Sequence, residues 1–358
     1  MRVLYVDMQY DYGIKSRGKN AIGLDGFMQS FEDLGHEVVP FYYDEYLEDT
    51  ATLQEKLKAY ADEVKPDLLF FCLFQDQFAI ETLAHLKSKY TTVNWFGDDQ
   101  WRFERFTKKY APYFTYCVTT DKFAMDKYKQ IGQPNVIYSQ WAAINEHRRD
   151  SETPAYEYEV SFVGGVTPER RWFVEELQRR GINISAFGYG WENGPLSSDE
   201  MNALFGKTKI NLNLSNSTSY DIRFLLTRHN KKLKTWLGKF IRSPRVQFQL
   251  SFLLTNSKKL FKYFQKSKSV SQIKARNFEI PFFGGFQLTE YVPSLEEYFA
   301  IGEEVVCFNS IDDAELLIRY YLAHDDEREA IRKAGNIKAV NSHGYINRIE
   351  AVLKEIKQ

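Results

Sequence analysis

Short apolar runs alternate with amphipathic stretches through the first 150 residues. Residues 2–7, 36–43, 68–74, 92–96, 114–120 and 135–138 read as strands. Between them, 24–34, 52–64, 78–89 and 122–131 place apolar residues three and four apart, the helical period. The run Leu68 to Phe74 is apolar throughout, as in a strand buried on both faces of a parallel sheet. A polar segment, 147–157 with Pro154, interrupts the pattern and predicts a linker. The alternation then restarts, with strands over 158–163, 183–187, 209–214, 286–288 and 304–308. Helices are predicted over 168–180, 198–205, 272–280 and 312–323, and through the tail from Asp326. Such repetition predicts an α/β chain of two doubly wound Rossmann-like domains, 1–150 and 151–358, with the last helix able to return to the first. Ligands of such sheets bind beyond the carboxyl ends of the strands, so a site in a cleft between two facing domains is expected.

Composition narrows the class. The chain has 358 residues, 28 Phe and 23 Tyr, and a formal net charge of −1, so no overall pull toward nucleic acid follows. Three scattered cysteines, Cys72, Cys117 and Cys307, lack the spacing of a disulfide framework or a zinc site. The six histidines do not pair at metal-ligand spacing, and Asp98-Asp99 lacks the spacer of a D-x-D motif, so no metal is expected. Neither a secretory leader nor a membrane-spanning run is read, which points to a cytoplasmic protein.

The densest candidate chemistry lies in Lys274–Glu290. Arg276 and Glu279 stand three apart on one predicted helical face, with Ser269 or Ser271 as N-cap. That helix N-terminus and Arg276 would suit a phosphate. Glu279, about two turns in, would suit ribose hydroxyls. Pro281 ends the predicted helix, and Gly284-Gly285 permit close backbone approach. A surface Arg–Glu pair followed by a glycine turn fits the same spacing. Asp98 and Asp99 end a strand, where one could contact an acceptor hydroxyl or act as base; a helix cap is the alternative. The loop Tyr10 to Gly23, with Lys19 and Asn20, follows the first strand and could hold the acceptor or a diphosphate, or be a plain surface loop.

The stretch from Lys274 to Glu290, together with WFGDDQWRFE at 95–104, VSFVGGVTPERRWFVEEL at 160–177 and FGYGWENGPLSSDEMNALFGKTKINLNLS at 187–215, resembles the CgeB-like (spore maturation protein) glycosyltransferases, relatives of glycosyltransferase family 4. The resemblance runs through most of the chain in order. It implies a GT-B fold, with the nucleotide-sugar on the second domain and the acceptor on the first. By position it implies a ribose-binding role for Glu279, glycine turns at Gly164-Gly165 and Gly284-Gly285, and a basic pair at Arg170-Arg171. It also implies retention of anomeric configuration and no metal or other cofactor. One position departs: Ser271 stands where family 4 carries a second Glu, so no catalytic Glu is assigned there.

Between Ile222 and Phe278 there is no Asp or Glu, against 15 Lys and Arg interleaved with aromatic and aliphatic residues. This insert, at about 220–270, reads as a basic helical element. It could contact an anionic membrane surface through 222–268, on the inner face, or pack as a structural or oligomer element. The rest of the chain is acidic, which disfavours nucleic acid. The expected function is transfer of a sugar from a nucleoside-diphosphate sugar to a glycan or lipid-linked acceptor in cell-surface polysaccharide or glycoconjugate synthesis. The alternative is an inactive GT-B module that binds a glycan or scaffolds a partner.

Overall fold

A computed structural model of the chain describes residues 1–144, 155–215 and 271–356. The basic insert at 222–268 and most of the expected linker lie outside them. The chain divides into two compact units. The first comprises Met1–Asp150, Ile273–Phe282 and Ile337–Gln358; the second comprises Ser151–Gln272 and Phe283–Asn336.

The first unit holds a six-stranded parallel sheet in the order β2-β1-β3-β4-β5-β6. Its strands are β1 (Arg2–Asp7), β2 (Glu37–Tyr42), β3 (Leu68–Phe71), β4 (Thr91–Phe96), β5 (Tyr116–Thr119) and β6 (Val136–Tyr138). Strand alternation sorts the apolar residues onto two faces. Leu4, Val6, Leu69 and Phe71 enter one core, and Val3, Tyr5, Leu68 and Phe70 enter the other. β3 is buried at every position, as its unbroken apolar run requires. Pro40, which has no N–H to donate, sits opposite Tyr5 in β2, an edge strand where that loss is tolerated.

Helix Thr50–Val64 starts on Asp49, whose carboxylate accepts from Thr52 N, and stops at Lys65 in a left-handed conformation. Its buried Leu53, Leu57, Ala61 and Val64 form the stripe seen in the sequence. The C-terminal helix Tyr345–Ile356 contributes Tyr345, Ile349, Val352 and Leu353 to the core of this same unit. Gly26 makes room for the Tyr345 ring, which a Cβ there would meet at 2.9 Å.

The second unit holds a five-stranded parallel sheet in the order β11-β10-β9-β7-β8. The strands are β7 (Tyr158–Val163), β8 (Ile184–Phe187), β9 (Thr208–Asn213), β10 (Gln287–Glu290) and β11 (Val306–Phe308). Helix Pro168–Arg179 is capped by Thr167, and Ser198–Gly206 by a reciprocal Ser197–Glu200 capping box.

The helix expected over 272–280 is shorter and later, Arg276–Phe282, and Pro281 lies inside it. Asn277 is the reason: its side-chain oxygen accepts from Lys274 N and favours a turn ahead of the helix. Pro281 is the last residue but one of this short helix, so its missing N–H costs one helical bond at most. Among the described residues, no helix is long and apolar enough to cross a membrane.

Candidate active site

Each sheet has a point where the chain order reverses. β1 leads to β2 on one side and to β3 on the other; β7 leads likewise to β8 and β9. Crevices beyond the carboxyl ends of such strand pairs are the ligand positions of doubly wound sheets.

In the first unit that crevice is a pocket of about 250 Å³. The ends of β1, β3 and β4 supply Asp7, Leu73 and Asp98 to its wall, with Phe74, Trp95 and Trp141 as aromatic lining. Asp7 is 3 % exposed. It accepts from Tyr5 Oη at 2.6 Å, Met8 N at 2.7 Å and Asn20 Nδ2 at 3.1 Å. Burial raises its pKa to about 7, against the opposing pull of those hydrogen bonds. Gly23 closes over this corner, and a Cβ there would come within 2.4 Å of both Asp7 and Asn20. Gly97 does the same for Trp141, whose ring would meet a Cβ at 2.2 Å. Two π-helical segments, Ile22–Met28 and Phe103–Thr107, border the pocket. Such widened turns shift the side chains that follow and recur at functional positions.

The residues expected to act here separate. Asp98 lines the pocket and makes no side-chain cap bond to the helix it precedes. Asp99, expected to face the cleft, is turned into the core at 1 % exposure. Its carboxylate accepts from Thr107 Oγ1, Thr119 Oγ1 and Tyr128 Oη, each at 2.6 Å. Burial raises its pKa to about 6. Asp98 precedes the helix at φ −136° and ψ 30°, outside the helical region, whereas Asp99 is its first residue, and that change of backbone separates the two directions. Asn20 lines the pocket and fixes Asp7, while its side-chain oxygen accepts from Gly23 N. Lys19 is not among the lining residues and is paired with Asp25 at 2.7 Å. Asp7 was missed in the sequence, although a carboxylate closing the apolar run Val3-Leu4-Tyr5-Val6 was a readable signal.

In the second unit, Gly164 and Gly165 follow β7, and helix Pro168–Arg179 begins just beyond. Gly164 N donates to Phe187 O at 2.9 Å, and Gly164 O accepts from Trp191 Nε1 at 2.8 Å. Gly188, in a left-handed conformation, is also forced by contact: its Cβ would lie 2.5 Å from Gly164 O. A Cβ on Gly165 would meet no atom of the described residues within 4 Å, and Gly165 itself is exposed. Arg170 bridges the two strand ends, donating to Gly165 O at 3.0 Å and Leu214 O at 3.2 Å. Arg171 instead donates to Gly190 O and lies over Trp191. The Asn213 amide nitrogen, at the end of β9, is buried and has no hydrogen-bond partner among the described residues. Gly284 adopts φ +78° and its carbonyl accepts from buried Arg332 at 3.1 Å; Gly285 is buried beside it.

Arg276 and Glu279 do pair, at 2.5 Å, within the first unit. The seven-residue helix puts Glu279 in its first turn, not two turns in. Arg348 stacks over Phe278 nearby, and Phe278 packs on His343. Among the described residues, no group of three His, Cys, Asp or Glu comes together as a metal cluster would.

Two parallel sheets, each with a turn and polar side chains at its switch point, make the α/β fold of a GT-B glycosyltransferase. Sucrose-phosphate synthase from Thermosynechococcus elongatus superposes with a TM-score of 0.60 at 9% identity, over 100% of this chain and 99% of that one. Anabaena Alr3699/HepE in complex with UDP-glucose gives 0.59 at 10% identity, over 100% of both chains. AviGT4, a glycosyltransferase of avilamycin A biosynthesis, gives 0.53 at 13% identity, over 100% of this chain and 97% of that one. A search of curated proteins finds no match. Residues 169–354 match the profile described as glycosyl transferase-like, and the chain belongs to that family.

Proposed function

We propose that the protein transfers a sugar from a nucleoside-diphosphate sugar to a hydroxyl of a glycan or lipid-linked acceptor, in cell-surface polysaccharide or glycoconjugate synthesis. Within its family we place it with the CgeB-like, family 4-related enzymes, acting with retention and without a metal. The observation that carries the reading is the switch point of the second sheet. There an open glycine turn, the start of a 12-residue helix and the Arg170 guanidinium coincide. Backbone N–H groups and a fixed positive charge are what a diphosphate leaving group needs as it gains charge. Glu279 would take the ribose hydroxyls, with Arg276 as its partner, and Gly284-Gly285 would let the backbone approach the donor. Asp98 and Asn20 belong to the acceptor pocket, Asn20 by holding Asp7, while Asp99 braces the wall behind it. UDP-glucose, the ligand of the Anabaena protein, is the first donor to try.

The test is a thermal-shift screen against UDP, GDP, dTDP, ADP and CMP, with and without EDTA. A nucleotide at about 100 times its Kd stabilises by roughly 2.7 kcal/mol, a shift of a few degrees. One nucleoside diphosphate should stabilise the protein in EDTA, and Glu279→Ala and Arg170→Ala should each lose the shift. No shift with any of the five would refute the donor assignment.

A further inference from the structure

The acceptor pocket does not stand alone. A second cavity of about 440 Å³ lies beside it, its polar wall formed by Gln75, Asp76, Trp101 and Arg105, and the two share Arg102 and Phe106 as a common wall. Arg102 is fixed there: its Nη2 donates to Phe74 O at 2.7 Å, and its guanidinium lies 4.0 Å from the Phe106 ring centre. At the rim of the first cavity stands Tyr12, 55% exposed. Its backbone is left-handed, at φ 53° and ψ 25°. A non-glycine residue holds that conformation only where its surroundings fix it. Three contacts fix it here. Tyr10 and Lys19 bridge the base of the loop. Arg17 pairs with Asp11 at 2.7 Å and lies 4.6 Å from the Tyr12 ring centre. Phe74 meets the Tyr12 ring edge-to-face at 5.5 Å. An exposed aromatic ring is thus presented at the entrance to a pocket that contains carboxylates.

We propose that the acceptor is a neutral glycan of at least two sugar rings, its reacting ring in the Asp7 pocket with Tyr12 as stacking residue, and its next ring across Arg102 in the second cavity. The inference rests on the transferase reading above and adds the acceptor's chemistry and length. Three features select that chemistry. The C–H face of a pyranose is weakly electropositive and packs on the negative π face of an aromatic ring. Asp7, Asp11 and Asp98 give the first cavity three carboxyl groups to exchange hydrogen bonds with sugar hydroxyls, and Asp11 and Asp98, against Arg102 alone among the basic residues lining it, disfavour an acidic ring there. At about 250 Å³ the first cavity falls below the roughly 300–1,000 Å³ range of small-ligand sites and at about 440 Å³ the second lies in its lower half, so each suits about one ring and the adjoining pair a short chain.

The experiment is ligand-observed saturation-transfer NMR on the full chain without nucleotide. The probes are the methyl glycosides of glucose, galactose, mannose and N-acetylglucosamine, the disaccharides maltose, cellobiose, lactose and chitobiose, and glucuronic and galacturonic acids. At least one neutral disaccharide should bind about tenfold more tightly than its component ring, with the uronic acids giving no signal. Tyr12→Ala should weaken that binding about fivefold or more, and Tyr12→Phe should restore it. Both variants should keep the nucleotide thermal shift, which also reports that they are folded. Equal binding of uronic acids, no gain from the second ring, an inert Tyr12→Ala, or no sugar bound at all would overturn the proposal. Because sugar binding is read without nucleotide, its failure is separate from failure of the donor assignment.

Discussion

Asp7 and Asp99 are the same chemical device in two settings. Each sits at the carboxyl end of a strand of the same sheet, is almost wholly buried, and accepts three hydrogen bonds. Burial raises both, to about 7 and about 6. They differ in what lies beyond. Asp7 borders the switch-point pocket, among donors that include a main-chain N–H and a loop amide. Asp99 is enclosed by three hydroxyls, from the segment Phe103–Thr107, from β5 and from helix Met125–Gln130, and does not line the pocket. A perturbed carboxylate therefore does not by itself mark a reacting group. The neighbouring cavity makes the difference.

The largest effect should come from breaking the enclosed site. Asp99→Ala strands three buried hydroxyls, each at a cost of about 1–3 kcal/mol, and should lower stability by about 4–5 kcal/mol in urea denaturation. Asp99→Asn, which keeps the shape and one acceptor oxygen, should cost less than half of that. A loss below about 1 kcal/mol for Asp99→Ala would remove the structural role assigned here.

The pocket carboxylate should be read by pH instead. The folded-state pKa of Asp7 is raised, so between about pH 4 and pH 7 the folded protein holds a proton that the unfolded chain has released. Stability must then fall as pH rises through that window and level off above it. The full difference is on the order of 4 kcal/mol, from about three pKa units. Asp7→Asn removes the titration, so its stability relative to the wild type should climb between pH 5 and pH 8, as measured by denaturant midpoints at each pH. A constant difference across that range would mean that Asp7 is not buried as described. Asp99 contributes a fall of the same sign at lower pH, which Asp7→Asn should leave in place.

The smallest effect sharpens the contrast between adjacent residues. Asp98→Asn should leave stability within about 0.5 kcal/mol, as expected for a half-buried side chain whose shape and one acceptor oxygen the amide keeps. It should reduce kcat/KM for acceptor about tenfold, or about 1.4 kcal/mol, without changing the nucleotide shift. A stability loss matching that of Asp99→Asn would dissolve the distinction between the two positions.

Much of the fold could be read in the chain. The continuous run at 68–74, the stripe Leu53-Leu57-Ala61-Val64 and the restart at 158 each report a local periodicity, and local periodicity is what backbone geometry imposes on sequence. The glycines at 164–165 and the Arg276–Glu279 pair were legible for the same reason, since turn and helix spacing are short-range. The helix begins at Arg276 rather than at 272, behind a turn in which the Asn277 side-chain oxygen accepts from Lys274 N, a local bond that the apolar period does not report.

What the sequence alone determined, then, is the succession of strands and helices, their parallel α/β class, and a set of polar residues at strand ends. Which of these share a pocket was decided by tertiary structure. Asp7 and Asp98 meet there from 91 positions apart, whereas Asp98 and Asp99, adjacent in the chain, point to different environments. Burial, and with it the charge state of a carboxylate, depends on neighbours brought from distant segments. Gly23 closes over Asp7, and Thr119 and Tyr128 enclose Asp99. Hydrogen bonding and dielectric environment act through space, so no local pattern encodes them.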